Sequence, residues 1–145
     1  MSHSYNKIWI HAVYSTKDRA ALINPSVEEK IHIYQKDQLI ELGCPVRIIN
    51  GMHDHMHLLF LQNPKISIVD ILKQVKGSTS HWINDQNLIS QKFGWQTGYA
   101  AYSVSESQLE KVYNYILKQK EHHQQKTFLQ EYQDFISPHG LKFEE

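Results

Sequence analysis

Two short apolar segments near the middle of the chain constrain the fold more than any other feature. Residues 45–50 are rich in β-branched side chains and residues 53–61 end in an apolar run, which predicts two strands, and Gly51 lies in the short connection between them. A helical segment is predicted on each side of this pair, with a further strand beyond each helix. The chain therefore has to place two helices around two strands that follow each other directly.

The predicted elements form a known order. They are a strand at 8–15, a helix with Ser26 as its N-cap that ends at Gly43, strands at 45–50 and 53–61, a helix at 67–84, a strand at 99–103, a helix capped by Ser105 that runs to about 123 and a short helix at 128–135. The order β-α-β-β-α-β followed by a helix predicts an α+β, ferredoxin-like (RRM-like) fold, with an antiparallel sheet and helices on one face. We expect one domain over residues 1–145. This fold hosts many functions, so it does not select one.

Composition sets the class of protein. Of the 145 residues, 41% are hydrophobic and 21% are charged, which is typical of a globular protein that builds its own core. We expect no membrane segment and no signal peptide, because no apolar run is long enough, and we expect a cytoplasmic, nucleoid-associated protein. The 15 basic and 15 acidic residues balance, which argues against a nonspecific binder of duplex DNA.

The strongest chemical signal is a pair of histidines in the third predicted strand. His55 and His57 are two residues apart, so on a strand they share one face, while Met56 points to the opposite face and the core. Two imidazoles in this arrangement can bind one divalent cation. The same alternation puts His53 on the histidine face and directs Asp54 away from it. A solvated strand face that carries histidines by chance is the competing interpretation.

A tyrosine on the predicted third helix is the natural partner of these histidines. Tyr115 and Gln119 are four residues apart and so share one side of a helix. Tyr113 falls within the apolar stripe, whereas Tyr115 lies at its edge, where the hydroxyl can reach a cleft. The competing interpretation is that both tyrosines only pack.

Taken together, these segments resemble the single-tyrosine transposases of compact bacterial insertion sequences, including the relatives associated with repetitive extragenic palindromes. The matching blocks occur in the order 10–19, 54–59 (the HUH motif), 72–80, 93–105 and 115–123. The resemblance covers nearly the whole chain. It implies that the C-terminal helix is the catalytic one, with Tyr115 as the nucleophile. It also implies that His55, His57 and Gln119 bind a divalent metal, Mg²⁺ or Mn²⁺.

The implied reaction is cleavage and rejoining of single-stranded DNA. Attack by Tyr115 would give a 5′-phosphotyrosine and a free 3′-hydroxyl, and a second 3′-hydroxyl could then reseal the strand without another cofactor. A metal ion would polarise and orient the phosphate. Hairpins of single-stranded DNA at element ends are the expected substrate.

Two further expectations concern partners. Four basic residues are candidate phosphate contacts: Lys17, Arg19, Lys73 and Lys76. Joining two DNA ends with one tyrosine per chain favours a homodimer, whose interface we expect at a sheet edge formed by 46–49 or 100–104. Whether each site is built from one chain or two is open at this point.

Three alternatives remain. A noncatalytic nucleic-acid-binding module of RRM type would carry aromatic residues, not histidines, on its central strands. A metal-dependent hydrolase would use water and leave Tyr115 structural. A domesticated single-strand endonuclease would keep the chemistry without a mobile element.

Overall fold

The structure, a computed structural model, describes residues 4–122 together with Gln130 and Gln133. Its elements are β1 (Trp9–Ser15), α1 (Pro25–Glu41), β2 (Val46–Met52), β3 (His55–Leu61), α2 (Ile68–Asp85), β4 (Ala100–Val104), α3 (Leu109–Leu117) and α4 (Gln119–His122), with short 3₁₀ turns at Lys17–Arg19 and Glu106–Gln108. The four strands form one antiparallel sheet in the order β2-β3-β1-β4. The predicted ferredoxin-like fold is confirmed. In the described part of the chain, no helix combines the length and apolarity that a membrane crossing needs.

The first helix begins two residues before its predicted start. Asn24 is the N-cap residue and Pro25 is the first residue of α1, so Ser26 lies inside the helix and its prediction as N-cap is wrong. Proline is favoured there because its fixed φ suits a helix and its missing N–H would have no helical partner. The predicted end is confirmed: Gly43, just beyond the C-cap, has a φ of +76°, which glycine adopts at little cost.

One face of the sheet packs on α1 and α2. Met56, Leu58 and Phe60 alternate along β3 and are buried in the main core. The helices contribute a matching set of buried residues, namely Ile31 and Leu39 of α1 and Ile71, Leu72, Val75 and Ile83 of α2. This assigns the intervening side chains of β3, His55 and His57 among them, to the opposite face.

The opposite face of the sheet is covered by the chain after β4. Ile116 of α3 and Leu59 of β3 are buried together in a separate apolar cluster. The single helix predicted from Ser105 is wrong in detail, because a 3₁₀ turn precedes α3 and the helix is interrupted at Lys118, where φ is −96° and ψ is 23°. The helix predicted at 128–135 lies outside the described residues except for Gln130 and Gln133.

A tight connection joins β2 to β3 beside the histidines. His53 and Asp54 form a turn, so β3 begins at His55 and not at His53 as predicted. His53 is exposed and does not share the strand face of the other two histidines. Gly51, on β2, pairs with Met56 on β3. A Cβ atom on Gly51 would lie only 2.2 Å from the His55 carbonyl oxygen, so the close approach of the two strands requires glycine.

We predict that Gly51→Ala lowers the free energy of unfolding by about 2 kcal/mol or more, because the added methyl group meets backbone atoms that cannot move without breaking the β2–β3 pairing. The matched control is Gly77→Ala in α2, where no atom lies within 4 Å of the added Cβ. Alanine is the better helix former, so this variant should gain about 0.5–1 kcal/mol. Urea denaturation of both variants tests the pair, and equal effects would contradict it.

Candidate active site

His55 and His57 are fully buried on the face of β3 that meets α3. Both side chains have a relative exposure of 0%, and their ring centroids are 5.2 Å apart. The interpretation as a solvated strand face is therefore wrong. Because β3 is an interior strand of the sheet, with elements packed on both faces, polar groups on it need partners inside the protein.

Each histidine has such a partner at its Nδ1 atom. Nδ1 of His57 lies 2.9 Å from Nε2 of His11 on β1, and the two rings stack with centroids 5.1 Å apart. Nδ1 of His55 lies 2.8 Å from Oδ1 of Asp54, and a carboxylate can only accept, so His55 donates this hydrogen bond. Fixing Nδ1 in this way orients each ring, and Nε2 of His55 faces the Gln119 side chain of α4.

Two of these partners were missed or misjudged from the sequence. Asp54 was expected to point away from the site, but it lies in the turn before β3, where strand alternation does not apply. His11 was not singled out, although it interrupts the apolar run of β1 and is buried. A polar residue inside a predicted interior strand was the available signal.

Gln119, the first residue of α4, completes this group. It is fully buried, and its Oε1 atom lies 3.3 Å from Nε2 of His55. Because Asp54 accepts the Nδ1 hydrogen, neutral His55 presents a lone pair at Nε2, so two acceptors face each other. The Nε2 atom of Gln119 has no hydrogen-bond partner among the described residues. This contact needs a cation between the two acceptors, a proton on His55, or a 180° turn of the amide.

A divalent cation fits these donors. Nε2 of His55 and Oε1 of Gln119 lie 3.3 Å apart, close enough for both to bind one cation. Two imidazole nitrogens and an amide oxygen are a mixed donor set suited to such metals. Among the described residues, no group of three or more His, Cys, Asp or Glu side chains is arranged to hold a metal ion.

Tyr115 lies beside the histidines of its own chain. It is half-buried, and its ring is edge-on to the His57 ring with centroids 5.9 Å apart. Tyr113 is also half-buried, but its ring lies under the Arg47 guanidinium, 4.6 Å from the ring centroid. The two tyrosines thus point to different surroundings, and only Tyr115 is placed next to the predicted metal ligands. This contact joins Tyr115 to His57 of the same chain.

Polar contacts hold the break between α3 and α4 against the sheet. Nδ2 of Asn50 on β2 donates to the carbonyl oxygens of Ile116 at 2.9 Å and Leu117 at 3.2 Å. Nζ of Lys120 donates to the Gly51 carbonyl at 3.0 Å and contacts a Glu28 carboxylate oxygen at 2.6 Å. None of these contacts was predicted, since nothing in the local sequence pairs these residues.

Comparison with protein families identifies the family of this chain. The family model described as "Transposase IS200 like" matches residues 4–119, a span that runs from before β1 to Gln119. The chain belongs to the IS200-like transposase family.

Individual relatives agree with this assignment. The ISDra2 transposase TnpA of Deinococcus radiodurans is 25% identical over 114 residues, which cover 75% of this chain and 81% of that protein. A crystal structure of a transposase from the same organism has a TM-score of 0.66 at 23% identity, over 82% of this chain and 96% of the other. A REP-associated tyrosine transposase bound to a REP hairpin has a TM-score of 0.62 at 12% identity, covering 85% and 74%. These two structures share the fold.

The four basic residues singled out in this transposase lie in two places. Lys17 and Arg19 are exposed in the turn after β1, whose last residue, Ser15, pairs with His55. Lys73 and Lys76 are on α2, across the sheet from the histidines. Nζ of Lys76 already donates to the carbonyl oxygens of Gln96 at 2.9 Å and Gly98 at 2.6 Å, and its burial lowers the pKa of the ammonium group.

We predict that Gln119→Leu leaves the metal-free protein equally stable or raises its free energy of unfolding by about 1 kcal/mol. The change removes a buried amide whose nitrogen has no hydrogen-bond partner among the described residues. The control is Gln35→Leu, another buried glutamine with an unpartnered Nε2 atom, whose Oε1 accepts from the Tyr14 hydroxyl at 3.0 Å. Losing that acceptor should cost about 1–3 kcal/mol. Thermal denaturation in EDTA compares them, and equal losses would refute the prediction.

Proposed function

We propose that this IS200-like transposase cleaves and rejoins single-stranded DNA through a covalent bond to Tyr115. We propose His55, His57 and Gln119 as the ligands of a divalent metal, Mg²⁺ or Mn²⁺. The main support is the contact between the two sets of residues. Tyr115 of α3 and Gln119 of α4 lie against the buried His57 and His55 of β3. Buried residues of these types in van der Waals reach of each other suit phosphoryl transfer better than packing.

The proposed metal, when bound, would withdraw charge from the scissile phosphate and hold it in line for attack. The surrounding residues prepare the ligands. Asp54 and His11 contact the Nδ1 atoms of His55 and His57, which would orient both rings for a metal. Burial of the ligands excludes competing water and strengthens their interaction with any cation that enters.

Tyr115 would supply the nucleophile. Its phenolic oxygen forms a bond to phosphorus while the bond from phosphorus to the 3′ oxygen breaks. The tyrosine loses its proton, the departing 3′ oxygen gains one, and the 5′ phosphate stays on the protein. Because one phosphodiester replaces another, a different 3′-hydroxyl can reverse the step and reseal the strand without ATP. Tyr115 is half-buried beside His57, so part of its side chain remains exposed.

We propose hairpins of single-stranded DNA as the substrate, in line with the hairpin bound to the REP-associated relative. Lys17 and Arg19 are the best-placed phosphate contacts, because they are exposed at the end of the sheet where β3 begins with His55. Lys73 is exposed and lies three residues before Lys76 on α2, so this pair would contact DNA that passes over the far side of the sheet.

We further propose that the active form is a homodimer paired through a sheet edge. The strand order makes both candidate strands, β2 and β4, edges of the sheet. In β2 the register shifts between Val46 and Ile48, with the exposed Arg47 at the irregularity. Bulges and charged side chains protect an edge from pairing, so β4 is the better candidate.

The central test is the formation of a covalent adduct. With a hairpin oligonucleotide and Mn²⁺ or Mg²⁺, the wild type should give a denaturant-resistant protein–DNA adduct, and EDTA should suppress it. Tyr115→Phe should reduce adduct formation by at least about a thousandfold, because the nucleophilic oxygen is gone. Tyr113→Phe is the matched control and should remain active. Adduct located on Tyr113 by mass spectrometry, or an active Tyr115→Phe protein, would overturn the assignment.

Because Tyr115 lies beside His57 of the same chain, we predict no complementation between inactive variants. Tyr115→Phe mixed with a His55→Ala, His57→Ala double variant should stay inactive after subunit exchange, since no site in a mixed dimer then has all its groups. Differently tagged chains that co-purify would verify that exchange occurred. Recovered cleavage would mean that Tyr115 of one chain serves the histidines of another.

A further inference from the structure

We propose that Asn50 is a positioning residue, which ends the nucleophile helix and thereby places both Tyr115 and Gln119 at the site. This inference rests on the proposed function, because it assigns Asn50 a role through those two residues. Asn50 lies on β2 directly opposite His57 of β3, so its side chain projects from the histidine face of the sheet.

The hydrogen bonds at the end of α3 carry the argument. In an uninterrupted α-helix the carbonyls of residues 116 and 117 would accept from the N–H groups of residues 120 and 121. Here both carbonyls accept from Nδ2 of Asn50, at 2.9 and 3.2 Å. The N–H of Glu121 donates instead to the carbonyl of Lys118, three residues back, at 3.0 Å. The helix is therefore interrupted at the carbonyls that the Asn50 amide takes.

The interruption has a direct effect on the site. Tyr115 lies immediately before the two carbonyls held by Asn50, and Gln119 lies two residues after them. The intervening Lys118 has left helical geometry, and Gln119 is fully buried with Oε1 directed at His55. One amide on the histidine face of the sheet thus fixes the last turn of α3 and the start of α4 relative to the histidines.

The chemistry of the contact explains why an asparagine fits. Its amide nitrogen carries two hydrogens, one for each carbonyl oxygen, and no charge that would compete for a cation. Serine has only one hydroxyl hydrogen, and alanine has no donor. An aspartate would set a carboxylate oxygen against two carbonyl oxygens.

Asn63 provides a control with the same chemistry at another helix end. Its Nδ2 atom donates at 2.9 Å to the carbonyl of Leu42, the C-cap residue of α1, beyond the other end of β3. Asn63→Ala removes this bond and the acceptor of the Lys65 N–H, so it costs two side-chain hydrogen bonds, as Asn50→Ala does, without touching the site.

The experiment compares Asn50→Ala, Asn63→Ala, Gln119→Ala and the double variant Asn50→Ala, Gln119→Ala in the full-length protein. Two quantities are measured: Mn²⁺ affinity by calorimetry, and the rate of single-turnover adduct formation with a hairpin oligonucleotide. Asn50→Ala should weaken Mn²⁺ binding about 10-fold and slow adduct formation about 10- to 100-fold. The double variant should bind Mn²⁺ no more weakly than Gln119→Ala alone, because Asn50 acts on the metal only through Gln119. Asn63→Ala should match the wild type in both.

The outcomes separate the two proposals. A wild type that binds Mn²⁺ and forms the adduct, with Asn50→Ala equal to Asn63→Ala, would overturn this inference and leave the proposed function standing. Strictly additive losses of Mn²⁺ affinity in the double variant would also overturn it. A wild type that neither binds Mn²⁺ nor forms an adduct would overturn both. If Asn50→Ala does not fold, Asn50→Ser against Asn63→Ser gives the same comparison, with smaller expected effects.

Discussion

The arrangement of this molecule depends on how the ring nitrogens of two buried histidines, His55 and His57, find hydrogen-bond partners. A histidine taken out of water must find partners for its ring nitrogens or lose stability. His11 and Asp54 occupy the Nδ1 positions of His57 and His55 from two different parts of the fold. The sheet pairing that brings β1 beside β3 is what places His11 within reach. The same pairing therefore builds the core on one face and orients the site on the other.

The helical segment over these histidines is held by contacts that a continuous helix would not have. Asn50 binds the last carbonyls of α3, and Lys120 joins α4 to β2 and α1. An interrupted helix gives up backbone hydrogen bonds that an unbroken one would make, so the compensation has to come from side chains elsewhere in the chain. Gln119 adds a buried amide whose nitrogen has no hydrogen-bond partner among the described residues, which costs stability and is not required for packing. Such local conflicts are common where a protein binds ligands.

The fold was largely predictable, and the errors have physical causes. The order of elements and the burial of Met56 followed from hydrophobic periodicity, which reflects the local chain geometry. The N-cap at Ser26 was wrong because Pro25 can occupy the first turn, so two neighbouring residues competed for the same boundary. His53 was placed on the strand because alternation cannot show where a turn begins. The break at Lys118 was missed because the Asn50 amide that binds the carbonyls there lies on β2, 66 positions from the Ile116 carbonyl.

The sequence alone determined the chemical content of the site: two histidines of one strand face, and a tyrosine and glutamine four residues apart near the end of the chain. It also determined their order in a fold that belongs to the IS200-like transposases. Only the tertiary structure decided how these groups meet. The pairing of β1 with β3 supplied His11, the turn brought Asp54 to His55, and Asn50 interrupted the helix so that Tyr115 and Gln119 both reach the histidines of their own chain. Spacing along a chain fixes which side chains share a face of one element, whereas contacts between elements depend on register and packing across the sheet.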